Sequence, residues 1–203
     1  TEADLQKYIL GCGDGPASFN AELTAKGGDI VSIDPIYQFD GTSLQKRISE
    51  AYDAIMPQML RNQKQYIWKN ISSVEELGRI RMVAMQQFIL DYEIGKKADR
   101  YSYQSLPQLH FESQQFDLAL CSHYLFLYSD HVSLEEHISS IKELCRVAKE
   151  VRIYPLLSLN GEISPHLREV VSSLKDVGLI SLLTEVKYQF QKGATQMLVV
   201  KSV

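Results

Sequence analysis

Short runs of β-branched and apolar residues alternate along this chain with longer stretches in which apolar residues recur every three or four positions. The runs are typical of buried strands, and the longer stretches are typical of amphipathic helices. Regular alternation of the two predicts an α/β domain whose sheet is mostly parallel. The 203 residues suffice for one such domain, and they contain neither an internal repeat nor a linker. We therefore expect a single domain over residues 1–203.

A glycine-rich turn follows the first predicted strand. It reads Gly-Cys-Gly-Asp-Gly-Pro over residues 11–16, and a helix with Phe19 and Leu23 on one face comes next. Glycines leave the backbone N–H groups and the helix N-terminus open to a ligand. The turn therefore predicts a site for a nucleotide-like molecule.

An acid ends the second predicted strand, residues 30–33. Pro35 holds Asp34 extended and cannot continue a central ladder, so the strand stops there. Asp34 follows the turn by about 20 residues, the distance at which such an acid accepts both hydroxyls of a ribose. Proline at position 16 departs from the dinucleotide pattern G-x-G-x-x-G, and no triphosphate-binding G-x-x-x-x-G-K-[ST] run occurs. A ribose-containing ligand without a bound diphosphate fits best.

Residues 41–97 hold more helix than one crossover between parallel strands needs. The positions with helical spacing are Leu44, Ile48, Tyr52, Ile55 and Met59, then Leu77, Ile80, Ala84, Phe88 and Tyr92. Ser73 and Glu76 have the spacing of a capping box at the second helix. We expect a helical insertion between strands 2 and 3. A lid with Tyr66 and Trp68 facing an acceptor, a structural excursion and a homodimer contact all remain open as its role.

Three segments together resemble the successive motifs of one enzyme family. They read LGCGDG at 10–15, IDP at 33–35 and FDLALCSH at 116–123. They are similar to the motifs of the Rossmann-like, class I, S-adenosylmethionine-dependent methyltransferases. The resemblance covers nearly the whole chain, including a final hairpin predicted from 179–190 and 195–200. It implies a three-layer α/β fold with strand order 3-2-1-4-5-7-6 and an antiparallel last strand.

The resemblance also implies where S-adenosylmethionine binds. In the family, the glycines line the methionine part, the acid after strand 2 holds the ribose, and residues after strand 4 lie at the sulfonium end. The residues assigned in this way are Gly11, Cys12, Gly13, Gly15, Asp34, Pro35, Ser105, Leu106, Cys121, Ser122 and His123. Two positions depart from the family, since Ile9 and Ser105 stand where it commonly has acids.

The implied activity is methyl transfer, an in-line displacement in which the protein mainly aligns the acceptor and excludes water. A general base is needed only where the accepting atom loses a proton. His123, just after a strand end, is the candidate base, with a hydrogen-bonding or cofactor-lining role as the alternative. Tyr124 and Tyr128 are further candidates, although their alternation with leucines favours packing.

Several features favour a small-molecule acceptor. Residues 121–124 read CSHY rather than the Asn/Asp-Pro-Pro-aromatic run of enzymes that methylate base amines, and the chain has no Pro-Cys motif. A net charge of −4 does not favour nucleic acid. Two other classes stay open: a non-catalytic methyltransferase-like scaffold, consistent with Ile9 and Ser105, and an NAD-dependent oxidoreductase, disfavoured by Pro16.

Composition limits location and metal content. No apolar run approaches the roughly 18 residues of a spanning helix, so we expect no membrane association. Three cysteines without CxxC spacing suit a reducing compartment, which predicts a cytoplasmic protein. The histidines form no i, i+4 pair, so no metal site is expected.

Overall fold

One seven-stranded sheet organises the protein in the computed structural model, which describes residues 1–201. The strands are β1 (Ile9–Cys12), β2 (Ile30–Ile33), β3 (Tyr101–Ser102), β4 (Phe116–Ser122), β5 (Ala148–Tyr154), β6 (Ile180–Glu185) and β7 (Gln196–Lys201). Their order is β3-β2-β1-β4-β5-β7-β6. Strand β7 is antiparallel to both its neighbours, and the other pairs are parallel. The predicted order and the antiparallel last strand are therefore confirmed.

Helices cover both faces of the sheet. They are α1 (Phe19–Ala25), α2 (Gly41–Arg61), α3 (Val74–Lys97), α4 (Leu134–Val147) and α5 (Leu167–Asp176). Successive side chains of a strand point to opposite faces. Accordingly, Leu10 joins the main core with Ile141 of α4, whereas Ile9 packs with Leu23 of α1 on the other side. The result is the expected three-layer arrangement.

Helices α2 and α3 form the insertion between β2 and β3. Ser73 accepts a hydrogen bond from the backbone of Glu76 at 3.1 Å, but the Glu76 carboxylate binds Ser72, so only half of the predicted capping box forms. Two positions predicted on the apolar faces, Ile55 and Ile80, are 41% and 40% exposed. The buried faces of α2 and α3 therefore include fewer residues than predicted, because each helix covers only part of the other.

The insertion is fastened to the sheet by polar contacts at its end. The Tyr92 hydroxyl, fully buried, lies 2.9 Å from the carbonyl oxygens of both Tyr37 and Phe39. Arg100, just before β3, donates two hydrogen bonds to Asp91 of α3 at 2.7 and 2.8 Å. No helix within residues 1–201 has the length and apolar composition to cross a membrane.

Candidate functional site

The turn after β1 needs its glycines for two separate reasons. Gly13 and Gly15 have φ angles of 69° and 57°, in the left-handed region where a side chain is strained. At Gly13 an added Cβ would also lie 3.0 Å from the ring of Tyr124. The Gly13 N–H donates to the carbonyl of Ile33 at 2.9 Å, which ties the turn to the end of β2. The turn is therefore a rigid backbone surface beside the strand ends.

The carboxylate of Asp34 is held in place by backbone donors. Its Oδ2 accepts from the Gly15 N–H and its Oδ1 from the Ile36 N–H, each at 2.9 Å. Burial raises the pKa of Asp34, and these two hydrogen bonds oppose that rise. A carboxylate oxygen has about two acceptor positions, so each oxygen keeps capacity for a ligand hydroxyl.

A cavity of about 410 Å³ opens between the turn, the end of β2 and the segments that follow β3 and β4. This volume lies within the range of small-molecule sites, roughly 300–1,000 Å³. Residues predicted as cofactor contacts on its wall are Cys12, Gly13, Gly15, Asp34, Pro35, Ser105, Leu106 and His123. The fold thus brings together residues from four separate parts of the sequence. Because its wall holds these predicted contacts, we call this space the cofactor cavity.

Three of the predicted contacts lie off this wall. The space that a Gly11 side chain would occupy is filled by the Asp14 carboxylate, so Gly11 faces that group. Cys121 is 1% exposed and packs in the main core, because alternation along β4 turns it inward. Ser122 is exposed at the end of β4, and its hydroxyl lies 2.9 Å from Nδ1 of His123.

Other wall residues were missed or interpreted differently. The wall also includes Ile33, Ile36, Gln104, Tyr124 and Tyr128. Packing was the favoured interpretation for Tyr124 and Tyr128, and the structure places both rings on the cavity wall. Gln104 could have been predicted from the sequence, because it directly precedes the predicted contacts Ser105 and Leu106.

His123 has an unusual backbone and a depressed pKa. Its φ angle is 58°, in the left-handed region, which is uncommon for residues other than glycine and which histidine adopts more often than most. The His123 N–H donates to the Tyr154 carbonyl at 2.7 Å. His123 is an exposed residue that lines the cavity. The protein around its ring nevertheless lowers the pKa of the imidazole by desolvation, and the charge of Arg81 lowers it further. In the tautomer in which Nδ1 donates to Ser122, Nε2 is free to accept a proton.

A polar network lies behind the turn. The Ser32 hydroxyl donates to Asp14 at 2.6 Å, and the Asn20 amide donates to Ser32 and to the Arg100 carbonyl, each at 3.0 Å. Burial raises the pKa of Asp14 to about 6, opposed by the Ser32 hydrogen bond and aided by Asp34. Since Arg100 also binds Asp91, the network connects the turn to the insertion.

The strand order, the glycine turn after β1 and the acid after β2 define a class I S-adenosylmethionine-dependent methyltransferase fold. The comparison with solved structures found the following similarities. The PH0226 protein of Pyrococcus horikoshii is similar, with a TM-score of 0.50 and 13% identity over 98% of this chain and 82% of that one. An S-adenosylmethionine-dependent methyltransferase of Methanosarcina mazei has a TM-score of 0.47 and 13% identity over 98% of this chain and 93% of that one.

The comparison of sequences shows a family relationship. The chain belongs to the same family as MJ0045, an uncharacterised protein of Methanocaldococcus jannaschii, to which it is 30% identical over 199 residues. The matched region is 97% of this chain and 86% of that protein. No protein-family model matches the chain. Within residues 1–201, no group of three or more His, Cys, Asp or Glu residues is placed to hold a metal ion.

Proposed function

We propose that the protein is an S-adenosylmethionine-dependent methyltransferase that acts on a small-molecule acceptor. The observation that carries this proposal is Asp34, which two backbone N–H groups hold at the edge of a cavity beside the glycine turn. An acid in that position has spare acceptor capacity for the two hydroxyls of a ribose.

The cofactor cavity fits the chemical parts of S-adenosylmethionine. The apolar side chains of Ile33, Ile36 and Leu106 offer a surface for a purine, and Gln104 and Ser105 add polar groups beside it. The bare backbone at Gly13 and Gly15 leaves room for the amino-acid part. Ile9 supplies no acid for the ammonium group, and the Asp14 carboxylate is bound to Ser32 behind the turn. Asp34 is therefore the acid on this wall, and it favours a cationic ligand.

The residues around His123 then have defined tasks. When bound, S-adenosylmethionine supplies a methyl group on a sulfonium, which the acceptor atom attacks as the C–S bond breaks to a thioether. His123 takes the proton that an acceptor hydroxyl or amine loses, at Nε2. Its lowered pKa keeps the imidazole neutral near pH 7, in the form able to accept that proton. Tyr124 and Tyr128 cover the cavity and exclude water from the reacting atoms.

Calorimetry tests the ligand first. We expect S-adenosylmethionine and S-adenosylhomocysteine to bind and NAD not to bind. Tighter binding of NAD would contradict the proposal and favour an oxidoreductase. Incubation of the protein with methyl-labelled S-adenosylmethionine and metabolite extracts then tests activity. Cofactor binding without any label transfer would favour the second candidate, a non-catalytic cofactor-binding scaffold, for which the absence of an acid at Ile9 is the supporting observation.

A further inference from the structure

A second cavity of about 410 Å³ lies beside the cofactor cavity and shares His123 and Tyr128 with it. Its walls come from α2, α3, the segment after β4, the end of β5 and the segment between β6 and β7. The lining residues are Ile55, Gln58, Met59, Asn62, Tyr66, Arg81, His123, Leu127, Tyr128, Tyr154, Pro155, Leu159, Phe190, Gln191 and Ala194. We call it the acceptor cavity. Because the insertion provides one wall, this space exists only with α2 and α3 in place.

Its wall combines apolar and aromatic surface with one kind of charge. Among the described residues that line this cavity, Arg81 is the one Lys, Arg, Asp or Glu side chain. The wall therefore carries a guanidinium and no carboxylate. None of the ion pairs within residues 1–201 includes Arg81, whereas Arg79, two residues earlier on α3, pairs with Glu76 at 3.7 Å. A guanidinium without a carboxylate partner on a partly apolar wall is suited to an anionic group of a ligand.

The positive charge of Arg81 acts across this cavity. It lowers the pKa of His123, after the larger effect of desolvation by the protein around the ring. It also opposes the rise that burial causes in the pKa of Tyr188, which belongs to the segment between β6 and β7. Both residues therefore lie within the electrostatic reach of the guanidinium.

Backbone and aromatic contacts hold one side of this wall together. The Ile67 N–H donates to the Phe190 carbonyl at 2.7 Å, and the rings of Tyr66 and Phe190 stack with centroids 4.9 Å apart. Trp68 packs edge-on against Phe190 at 5.5 Å, behind the wall rather than on it. These contacts join the insertion to the segment before β7, so binding costs little reorganisation of this side.

We propose that this cavity binds the methyl acceptor, and that the acceptor is a small aromatic anion whose carboxylate or phosphate group binds Arg81. The inference rests on the proposed methyltransferase function and specifies its substrate class. Arg81 holds the anionic group, the aromatic wall receives the ring, and a hydroxyl or amine of the acceptor lies toward His123. In the reaction, the acceptor atom forms a bond to the methyl carbon, the C–S bond breaks, and the acceptor proton passes to His123.

The test uses matched pairs of aromatic probes in the presence of S-adenosylhomocysteine. The first pair is 4-hydroxybenzoate and 4-hydroxybenzamide, and the second is 4-hydroxyphenyl phosphate and its neutral dimethyl ester. Dissociation constants are measured by ligand-observed NMR for the parent, Arg81→Leu and the control Arg79→Leu. We expect one or both anions to bind about tenfold or more tightly than their neutral partners, as charge-assisted hydrogen bonds allow. Arg81→Leu should abolish this preference, and Arg79→Leu should keep it.

The outcomes separate the inference from the function on which it rests. A preference for carboxylate or for phosphate identifies which anion the site takes. Three outcomes overturn the inference if S-adenosylhomocysteine still binds the parent. They are equal binding of the charged and neutral probes, no binding of any probe, and a preference for the anion that persists in Arg81→Leu. Failure of S-adenosylhomocysteine to bind the parent overturns the proposed function, and the acceptor role of this cavity with it. Far-UV circular dichroism of both variants checks that they fold.

Discussion

At the scale of single residues, Asp34 is the most direct test of the cofactor cavity. Asp34→Asn keeps an acceptor for one backbone N–H but removes the charge, so we expect S-adenosylhomocysteine to bind about 1–3 kcal/mol more weakly. Calorimetry measures this difference. Asp40→Asn is the matched control, because Asp40 caps α2 through Ser43 and lies off the cavity wall. Equal affinity of the Asp34 variant and the parent would contradict the ribose role.

His123 is tested with a residue that tolerates its backbone. Asparagine adopts the left-handed region more readily than most residues, so His123→Asn should fold. We expect cofactor affinity close to that of the parent and turnover lower by about 10²–10⁴-fold, the usual contribution of a general base. The midpoint at which the parent loses activity on acidification should lie below the ordinary histidine pKa of about 6.5, since desolvation by the surrounding protein and Arg81 lower the pKa of His123 and protonation blocks the base. Normal turnover by the variant would show that His123 is not the base.

The raised pKa of Asp14 makes the stability of the protein depend on pH. Burial raises its pKa from 3.8 unfolded to about 6 folded, so the folded state takes up a proton first and loses stability as pH rises from about 4 to 6. Asp14→Asn removes this loss. The unfolding free energy of the variant minus that of the parent should therefore increase by about 2–3 kcal/mol when the pH is raised from 4 to 7. Urea unfolding at both pH values measures it, and a constant difference would contradict the raised pKa.

Local spacing predicts which single residues come together at the strand ends, and their contacts with a cofactor stay predictions. The positions of Gly13, Gly15 and Asp34 follow from a strand, a turn and a second strand in sequence. Spacing does not predict that the Asp14 carboxylate lies beside Gly11, because the Ser32 hydroxyl on the neighbouring strand holds that carboxylate there. A lid with Tyr66 and Trp68 facing an acceptor was one open role of the insertion, and Tyr66 lines the second cavity whereas Trp68 lies off its wall. The remaining walls were not predicted, since they come from parts of the chain that only the tertiary fold brings together.

At the scale of elements, predictions were best where an apolar run is bounded by a breaker. Strand β2 has the predicted bounds, Ile30–Ile33, because Pro35 ends it. Strand β3 is only Tyr101–Ser102, and its edge position leaves it a single partner. At the start of α4, Ser133 and Glu136 have the same spacing as Ser73 and Glu76, and there both reciprocal hydrogen bonds of a capping box are present. Burial on α2 and α3 was overestimated, since periodicity does not reveal how much of a helix face a neighbour covers.

The attachment of α3 depends on a few buried polar contacts. Tyr92→Phe removes a hydroxyl that serves the carbonyls of Tyr37 and Phe39 and leaves the ring packing with Phe88 intact. We expect the free energy of unfolding to fall by about 1–3 kcal/mol, the cost of buried acceptors left without a donor. Tyr103→Phe, at a ring that is 60% exposed, should change it by less than about 0.5 kcal/mol. Urea unfolding compares the two, and equal effects would contradict the anchoring role.

At the scale of the whole molecule, the insertion and the sheet share contacts that predict one cooperative unit. Tyr92 binds the segment after β2, Arg100 just before β3 binds Asp91 of α3, and the Ile67–Phe190 hydrogen bond joins the connection between α2 and α3 to the segment before β7. All these contacts would have to break before the insertion could unfold alone. The homodimer expectation for this insertion stays a prediction.

Trp68, the single tryptophan, lies in the insertion and reports on it, whereas far-UV circular dichroism reports on the whole chain. We expect both signals to change in one thermal transition, as for a two-state domain. S-adenosylhomocysteine at 100 times its dissociation constant should stabilise the protein by about 2.7 kcal/mol and move both transitions upward together, by an equal amount. NAD at the same concentration is the control and should move neither. A fluorescence transition at lower temperature, or one that S-adenosylhomocysteine leaves in place, would mean that the insertion folds independently of the cofactor cavity.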